Sequence, residues 1–258
     1  MAGPVLTGPA RLALDLLDAA QAEARPVQVG DGWPELTLDQ AYAVQAALLA
    51  RRVARGDRPV GLKLGFTSAA KMRQMGVHEV IVGRLTASTL VADGGRVDRG
   101  RLIHPRVEPE IAFRVGRDVD LASGVLAVDG VCAALEVIDS RYAGFRFDLP
   151  RVVADNTSAA AFALGPWTDV DPQATGGLRV TMRTGDGTVV TGSTDAILGH
   201  PLRALERLAV LGARLGLRLS AGDVILAGAA TEAVPLPPGR TEVTVESLGT
   251  VVLHTEGA

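Results

Sequence analysis

HPRVEPEIAFRVG, residues 104–116, is the stretch from which the fold is best read. Val107, Ile111, Phe113 and Val115 give it the apolar content of a strand. Pro109 has no amide hydrogen to donate, which suits an irregular or edge position. Residues i and i+2 of a strand point the same way, so Glu108 and Glu110 project together from one face. Two carboxylates side by side destabilise a fold unless a proton or a cation neutralises them. A hard divalent cation with oxygen ligands is the natural solution. Glu136, in AALEVIDS (133–140), has apolar neighbours on both sides. A carboxylate in such a run is either exposed on an amphipathic element or buried and paired. In the second case it is a third ligand, and the cation keeps positions open for water or substrate. On spacing alone a solvated Glu-x-Glu face remains the competing reading.

Outward from this strand the chain divides near residue 59. Residues 8–24 carry an amphipathic helical pattern with Pro9 suited to its first turn. A Pro/Gly-rich break follows over 25–34, and Thr37 with Gln40 forms a capping-box pattern opening a second helix that runs to about Gly56. Beyond Pro59, VGLKLGF (60–66) reads as a strand and SAAKMRQMG (68–76) as a short helix closed by Gly76. Short glycine-separated strands are expected over 80–115, while DGVCAALEVIDSRY (129–142) fits a helix or a strand. RVTMRTGDGTVVTG (179–192) reads as a hairpin turning at Gly-Asp-Gly. HPLRALERLAVLGARLG (200–216) is a helix with Leu202, Leu205 and Leu208 on one face, and GDVILAG (222–228) and TEVTVESLGTVVLHT (241–255) are strands. The expectation is one α+β domain over 1–258, with a helical section (1–58) and a β-rich body (59–258) carrying one long inserted helix.

The chain of 258 residues, 47% hydrophobic, is long enough for a sizeable core, and its 3% aromatic content requires that core to be built from small aliphatic side chains. A net charge of −3 with no basic block excludes a nucleic-acid footprint. Cys132 is the only cysteine, which rules out an intrachain disulfide and a thiolate metal site and fits a reducing, cytoplasmic setting. The N-terminal segment lacks the basic stretch of a signal peptide, and no apolar run is long enough to span a bilayer. Lys63 and Lys71 are the only lysines among many arginines. Lysine, unlike arginine, can give up its proton.

Six stretches occur in an informative order: GLKLGFTS (61–68), PRVEPEIAF (105–113), LEVIDSRY (135–142), VVADNTS (152–158), LGHPL (198–202) and AGDVILAG (221–228). Together they resemble the family of 2-oxopent-4-enoate hydratases and 4-oxalocrotonate decarboxylases, of the fumarylacetoacetase-like superfamily. The resemblance runs from about residue 40 to 253. It implies a mixed β-roll or sandwich body like the fumarylacetoacetase C-terminal domain. The segment 139–158 and AVPLPPG (233–239) look more like the decarboxylase branch; Ala227-Gly228-Ala229, Arg240 and Val82 depart from the family pattern.

The resemblance implies a lyase in aromatic meta-cleavage catabolism. Its reaction is decarboxylation of 4-oxalocrotonate (2-oxohex-3-enedioate) to 2-hydroxypenta-2,4-dienoate and CO₂. The alternatives are a hydratase acting on 2-hydroxypenta-2,4-dienoate and a non-catalytic member that stabilises a partner enzyme. It implies Mg²⁺ or Mn²⁺ held by Glu108, Glu110 and Glu136, a small 2-oxo acid substrate, a homo-oligomer and association with a hydratase of the same pathway. Lys63 becomes the candidate proton-handling group, with a pKa lowered by burial. Ser158 becomes a hydrogen-bond donor to the substrate carboxylate, and Asp155 and Asn156 fix its loop. Thr67 and Ser68 are expected to contact substrate or to cap the helix that follows, capping being favoured. Arg141 and Arg146 are candidates to attract the departing carboxylate. Glu79 and His78 fall in a loop expected to close over the site, with Glu79 a candidate substrate contact, and His200 is expected at a helix entry.

Overall fold

A computed structural model describes residues 4, 6–30, 33–68, 72–73, 77 and 79–257. Helix α1 (Gly8–Glu23) and helix α2 (Leu38–Ala54) form the N-terminal section. The capping box at Thr37 forms as expected: its hydroxyl accepts from the Gln40 amide, and the Gln40 side chain accepts from the Thr37 amide. Arg51 bridges Asp15 and Asp18, tying the two helices together across their exposed edge.

The body begins with β1 (Pro59–Gly65) and β2 (Ile81–Thr86), followed by β3 (Leu90–Val91) and β4 (Gly95–Asp98). The central strands are β5 (Arg106–Val115) and β7 (Val128–Ile138), with the two-residue β6 (Val119–Asp120) between them in sequence. A short helix, α3 (Leu149–Ala154), precedes β8 (Ala159–Leu164). Next come β9 (Arg179–Arg183), β10 (Val189–Ser193), helix α4 (Leu202–Arg214), β11 (Arg218–Leu219), β12 (Val224–Leu226) and β13 (Val234–Pro235). The chain closes with β14 (Gly239–Val245) and β15 (Gly249–Glu256). The large sheet runs β2-β1-β12-β5-β7-β8-β3, with β13 also on β5; a five-stranded sheet runs β10-β9-β14-β15-β4.

The hairpin expected at 179–192 is present as β9 and β10. The stretch 241–255 is two antiparallel strands, β14 and β15, not one; the chain reverses at Ser247, whose φ is +62°. Of the ambiguous stretch 129–142, the part up to Ile138 is the strand β7, buried on both faces, and 139–142 lie beyond its end. The expected helix at 68–76 lies mostly outside the described residues, as do Lys71 and His78. No helix among the described residues is long and apolar enough to cross a membrane.

β5 is an interior strand, which corrects the edge placement of Pro109. On one side it pairs with β7 along its whole length. On the other, β12 pairs with Ala112–Arg114 and β13 with Arg106–Val107. Pro109 falls in the gap between β12 and β13, where its missing amide leaves no ladder bond unmade. Its carbonyl still accepts from the Ala230 amide at 2.9 Å.

The two faces of the large sheet have different tasks. Val107, Ile111 and Phe113 of β5, Val131, Leu135 and Val137 of β7, and Leu62 and Leu64 of β1 all enter one continuous apolar core. That core also takes Leu14 and Leu17 of α1, Val44 of α2, Leu208 of α4, and Met182, Val243 and Val251 of the second sheet. The opposite face carries a smaller apolar cluster that includes Ala112, Cys132, Ala134, Phe162 and Leu226. The charged residues of the candidate site share this second face.

Candidate active site

Because β5 and β7 pair with Glu108 opposite Glu136 and Glu110 opposite Ala134, alternation puts all three glutamates on one face of the sheet. Glu108 is 4% exposed, and Glu110 and Glu136 are 0% exposed. One oxygen from each lies within 4.8 Å of the others. Glu110 Oε2 accepts from the Gly228 amide at 2.9 Å. Gly228 sits at φ +113°, and a Cβ there would come within 1.9 Å of Thr67 Oγ1, so only glycine brings this amide so close. Glu110 Oε1 and Glu136 Oε1 are buried without a hydrogen-bond partner among the described residues. Three converging buried carboxylates with such oxygens match the donor set of a hard divalent cation.

Among the described residues, Lys63 is the cation beside Glu136. Leu62 and Leu64 face the core, so Lys63 on the same strand points to the glutamates. Its Nζ lies 2.8 Å from Glu136 Oε2 and donates to the Thr157 carbonyl at 3.3 Å. Desolvation opposes the ammonium form, but Glu136, Glu110 and Glu108 together outweigh it and push the Lys63 pKa up. This corrects the expected lowering: burial alone would lower it, whereas this ammonium faces three carboxylates. The same burial pushes Glu110 well above the usual carboxylate range and Glu136 up to about 7, since they share one ammonium.

A left-handed turn completes the wall. Asn156, Thr157 and Ser158 have φ of 52°, 54° and 59°. Three consecutive non-glycine residues in this region store strain that the surroundings must hold. Asn156 Oδ1 accepts from the Arg84 amide at 2.7 Å, and its Nδ2 donates to the Arg84 carbonyl at 2.9 Å. Asn156 thus fixes the loop by bonding across to β2, not through a local turn. Gly83, opposite Lys63 in the β1–β2 ladder, leaves the room: a Cβ there would lie 2.2 Å from Thr157 Oγ1 and 3.0 Å from Lys63 Cδ.

A cavity of about 710 Å³ opens over this cluster, lined by Lys63, Thr67, Ser68, Glu108, Thr157 and Ser158, among others. Glu110 and Glu136 are fully buried beside Glu108 and Lys63. Arg106, Phe145, Phe147 and Glu232 also reach this cavity. Sequence reasoning missed Arg106 and Thr157. The signal for Arg106 was available, because it stands two residues before Glu108 and shares its face.

Three expected contacts are not made. Arg141 is 4% exposed and not a cavity residue. Its Nε donates to the Asp155 carboxylate, its Nη2 to the Asp155 carbonyl, and its Nη1 to the carbonyls of Asp139 (2.8 Å) and Ala159 (3.2 Å). With its donors spent on backbone and Asp155, it clamps the base of the left-handed turn. Burial pushes Asp155 up to about 6 against the pull of that guanidinium. Arg146 is exposed and Glu79 is exposed 3.5 Å from Arg214; neither lines the cavity. Both stand on solvated segments. His200 sits at the entry to α4, its Nδ1 accepting from the Leu202 amide.

The clamp has a measurable consequence. Arg141→Met leaves Asp155 as an unpaired buried charge, and breaking such a pair costs on the order of 3 kcal/mol. Urea unfolding should show this as a lower midpoint, and Asp155→Asn on top of Arg141→Met should recover part of the loss. A midpoint unchanged by Arg141→Met would show that the pair does not hold the turn.

Compared with known proteins, residues 63–255 match the family model described as Fumarylacetoacetate (FAA) hydrolase C-terminal. The chain belongs to this family. A 4-oxalocrotonate decarboxylase from Pseudomonas sp is 44% identical over 253 residues, covering 96% of this chain and 98% of the relative. 2-Keto-4-pentenoate hydratase 2 from Dechloromonas aromatica (strain RCB) is 38% identical over 247 residues, covering 92% and 93%. The structure of 4-oxalocrotonate decarboxylase from Pseudomonas putida G7, complexed with magnesium and adipate, superposes with a TM-score of 0.88 at 38% identity, covering 98% of this chain and 100% of that one. The fumarylacetoacetate hydrolase-like fold and its α+β character therefore agree with the expectation from sequence.

Proposed function

We propose that this protein is a Mg²⁺- or Mn²⁺-dependent decarboxylase of a vinylogous 2-oxo dicarboxylate, 2-oxohex-3-enedioate. The observation that carries the reading is the buried trio Glu108, Glu110 and Glu136 beside Lys63 at the wall of an open cavity. The preference for decarboxylation over hydration rests on the greater identity to decarboxylases, 44% against 38%. The magnesium and adipate in the P. putida G7 enzyme support the metal and the dicarboxylate class.

In this reaction the C5–C6 bond breaks and C6 leaves as CO₂. Its electron pair forms C4=C5, the C3=C4 pair moves to C2=C3, and the 2-oxo oxygen gains the negative charge. Protonation of that oxygen gives 2-hydroxypenta-2,4-dienoate. When bound, the cation supplies Lewis-acid stabilisation of the charge developing on that oxygen. Glu108, Glu110 and Glu136 would hold it. Lys63 contributes fixed positive charge and, with its pKa pushed up, acts as a cation and proton donor, not as a base. The Ser158 hydroxyl, at the cavity wall, would bind the C1 carboxylate.

The test is product analysis with Mg²⁺. Release of CO₂ from 2-oxohex-3-enedioate supports this reading. The hydratase-named relatives favour one alternative, and conversion of 2-hydroxypenta-2,4-dienoate to 4-hydroxy-2-oxopentanoate without CO₂ from the dicarboxylate would replace it.

A further inference from the structure

We infer that Arg106 reads the distal carboxylate of the substrate and so selects dicarboxylic over monocarboxylic 2-oxo acids. The inference rests on the metal-dependent reading above and adds the residue that sets chain length and charge. Arg106 and Glu108 lie on the same face of β5 and line the same cavity. Two residues of strand span about 6.6 Å. A six-carbon dicarboxylate measures on the order of 6 Å between its carboxyl carbons. A 2-oxo acid held at the glutamates therefore ends near Arg106.

The donors of Arg106 are unspent. Its guanidinium makes no ion pair or hydrogen bond to any described residue, in contrast to the saturated Arg141. It lies over the Phe145 ring, 5.2 Å from the centroid. Stacking of this kind fixes the guanidinium plane and leaves its edge donors for a bidentate carboxylate. Phe145 is itself held at φ +55° and packs on His104 at 4.8 Å, so the platform is built, not incidental. Glu232, an exposed carboxylate lining the same cavity, forms no ion pair with Arg106.

The leaving carboxylate becomes neutral CO₂, so a cation on it binds the ground state more than the transition state. Arg106 is exposed, which keeps that hold modest. Its loss should therefore raise KM without lowering kcat.

The test compares 2-oxohexanedioate with 2-oxohexanoate by calorimetry in saturating Mg²⁺, for wild type and Arg106→Gln. Wild type should prefer the dicarboxylate by about tenfold, one bidentate contact at an exposed site, and Arg106→Gln should lose that preference while binding 2-oxohexanoate as before. KM for 2-oxohex-3-enedioate should rise by about tenfold at nearly constant kcat, and Arg106→Lys should restore part of it. An Arg106→Gln protein that keeps the wild-type preference, or weakens both ligands equally, overturns the assignment. Wild type that binds neither acid overturns this and the metal reading together. Binding of both acids without CO₂ release from 2-oxohex-3-enedioate overturns the reaction alone, and the preference still decides Arg106.

Discussion

Glu136→Gln is expected to lower metal-dependent turnover by about a thousandfold or more and to raise the melting temperature of the metal-free protein. The first effect follows from ligand loss: the amide oxygen carries no charge, and a site of three carboxylates keeps two. The second follows from the same burial. Glu136 is 0% exposed, with its pKa pushed up to about 7, so without metal its ionised form is held against a desolvation cost. An amide of the same shape carries no such cost. Lys63 keeps Glu108 as a facing group and the Thr157 carbonyl as a hydrogen-bond acceptor, so it is not stranded. A gain of about 1 kcal/mol would raise the melting point by roughly 2–4 °C in a chain of this size. Circular dichroism melts in chelator, beside CO₂ assays at limiting Mg²⁺, read both halves. Wild-type turnover in the variant would remove Glu136 from the metal site. Lost turnover with a lowered melting point would show that the ionised carboxylate stabilises the empty fold.

How far this site could be read in advance depended on distance along the chain. Period 2 is local, so Glu108 and Glu110 could be placed on one face from their spacing. The partnership of Glu108 with Glu136 is a ladder register across 28 positions, set by pairing that no local pattern encodes. β7 looked equally helical because both its faces are buried and the alternation is erased. The left-handed turn at Asn156, Thr157 and Ser158 contains no glycine, the usual marker for positive φ. It exists because Arg84 and Arg141 hold it from outside. Arg141 looked like an anion receptor because a buried, saturated guanidinium and a solvated one have the same letter. Arg106 passed unnoticed although the alternation that placed the glutamates also placed it. The β14–β15 reversal was hidden because Ser247, a non-glycine residue, takes the positive φ while Gly249 stands two positions on.

The glutamates, the lysine and the turn divide the work by charge. Among the described residues, three carboxylates and one ammonium meet at the cavity wall, and dry surroundings oppose such an excess of negative charge. A divalent cation offsets that excess, so the electrostatics of these groups favour its uptake. The carbonyl of Thr157 and the amide of Gly228 hold Lys63 and Glu110 in place, so little rearrangement is needed when the charge arrives.

That balance predicts different pH responses with and without metal. In the metal-free protein Glu136 has a folded pKa of about 7 against an ordinary 4.5, and Glu110 is shifted in the same direction. An acid whose folded pKa is raised contributes stability that is fully present below its unfolded pKa and is lost as pH rises through the folded value. Chelated protein should therefore lose stability from about pH 5 to above pH 7, by roughly 3 kcal/mol from Glu136 alone. Cation binding requires the carboxylates ionised, so protons compete with it. Affinity for Mn²⁺ should fall about tenfold for each pH unit below 7, and up to a hundredfold where Glu110 and Glu136 both take up a proton. With saturating metal the two effects offset, so the melting point should stay nearly flat between about pH 7.5 and about pH 5 and fall only as the carboxylates of the unfolded chain take up protons. Calorimetric titration of Mn²⁺ at several pH values, beside melts with and without chelator, measures both slopes. Metal affinity flat between pH 5.5 and 7.5, or chelated protein that gains stability across that window, would mean that the three carboxylates are ionised without a cation, and that the buried trio is a structural charge network and not a metal centre.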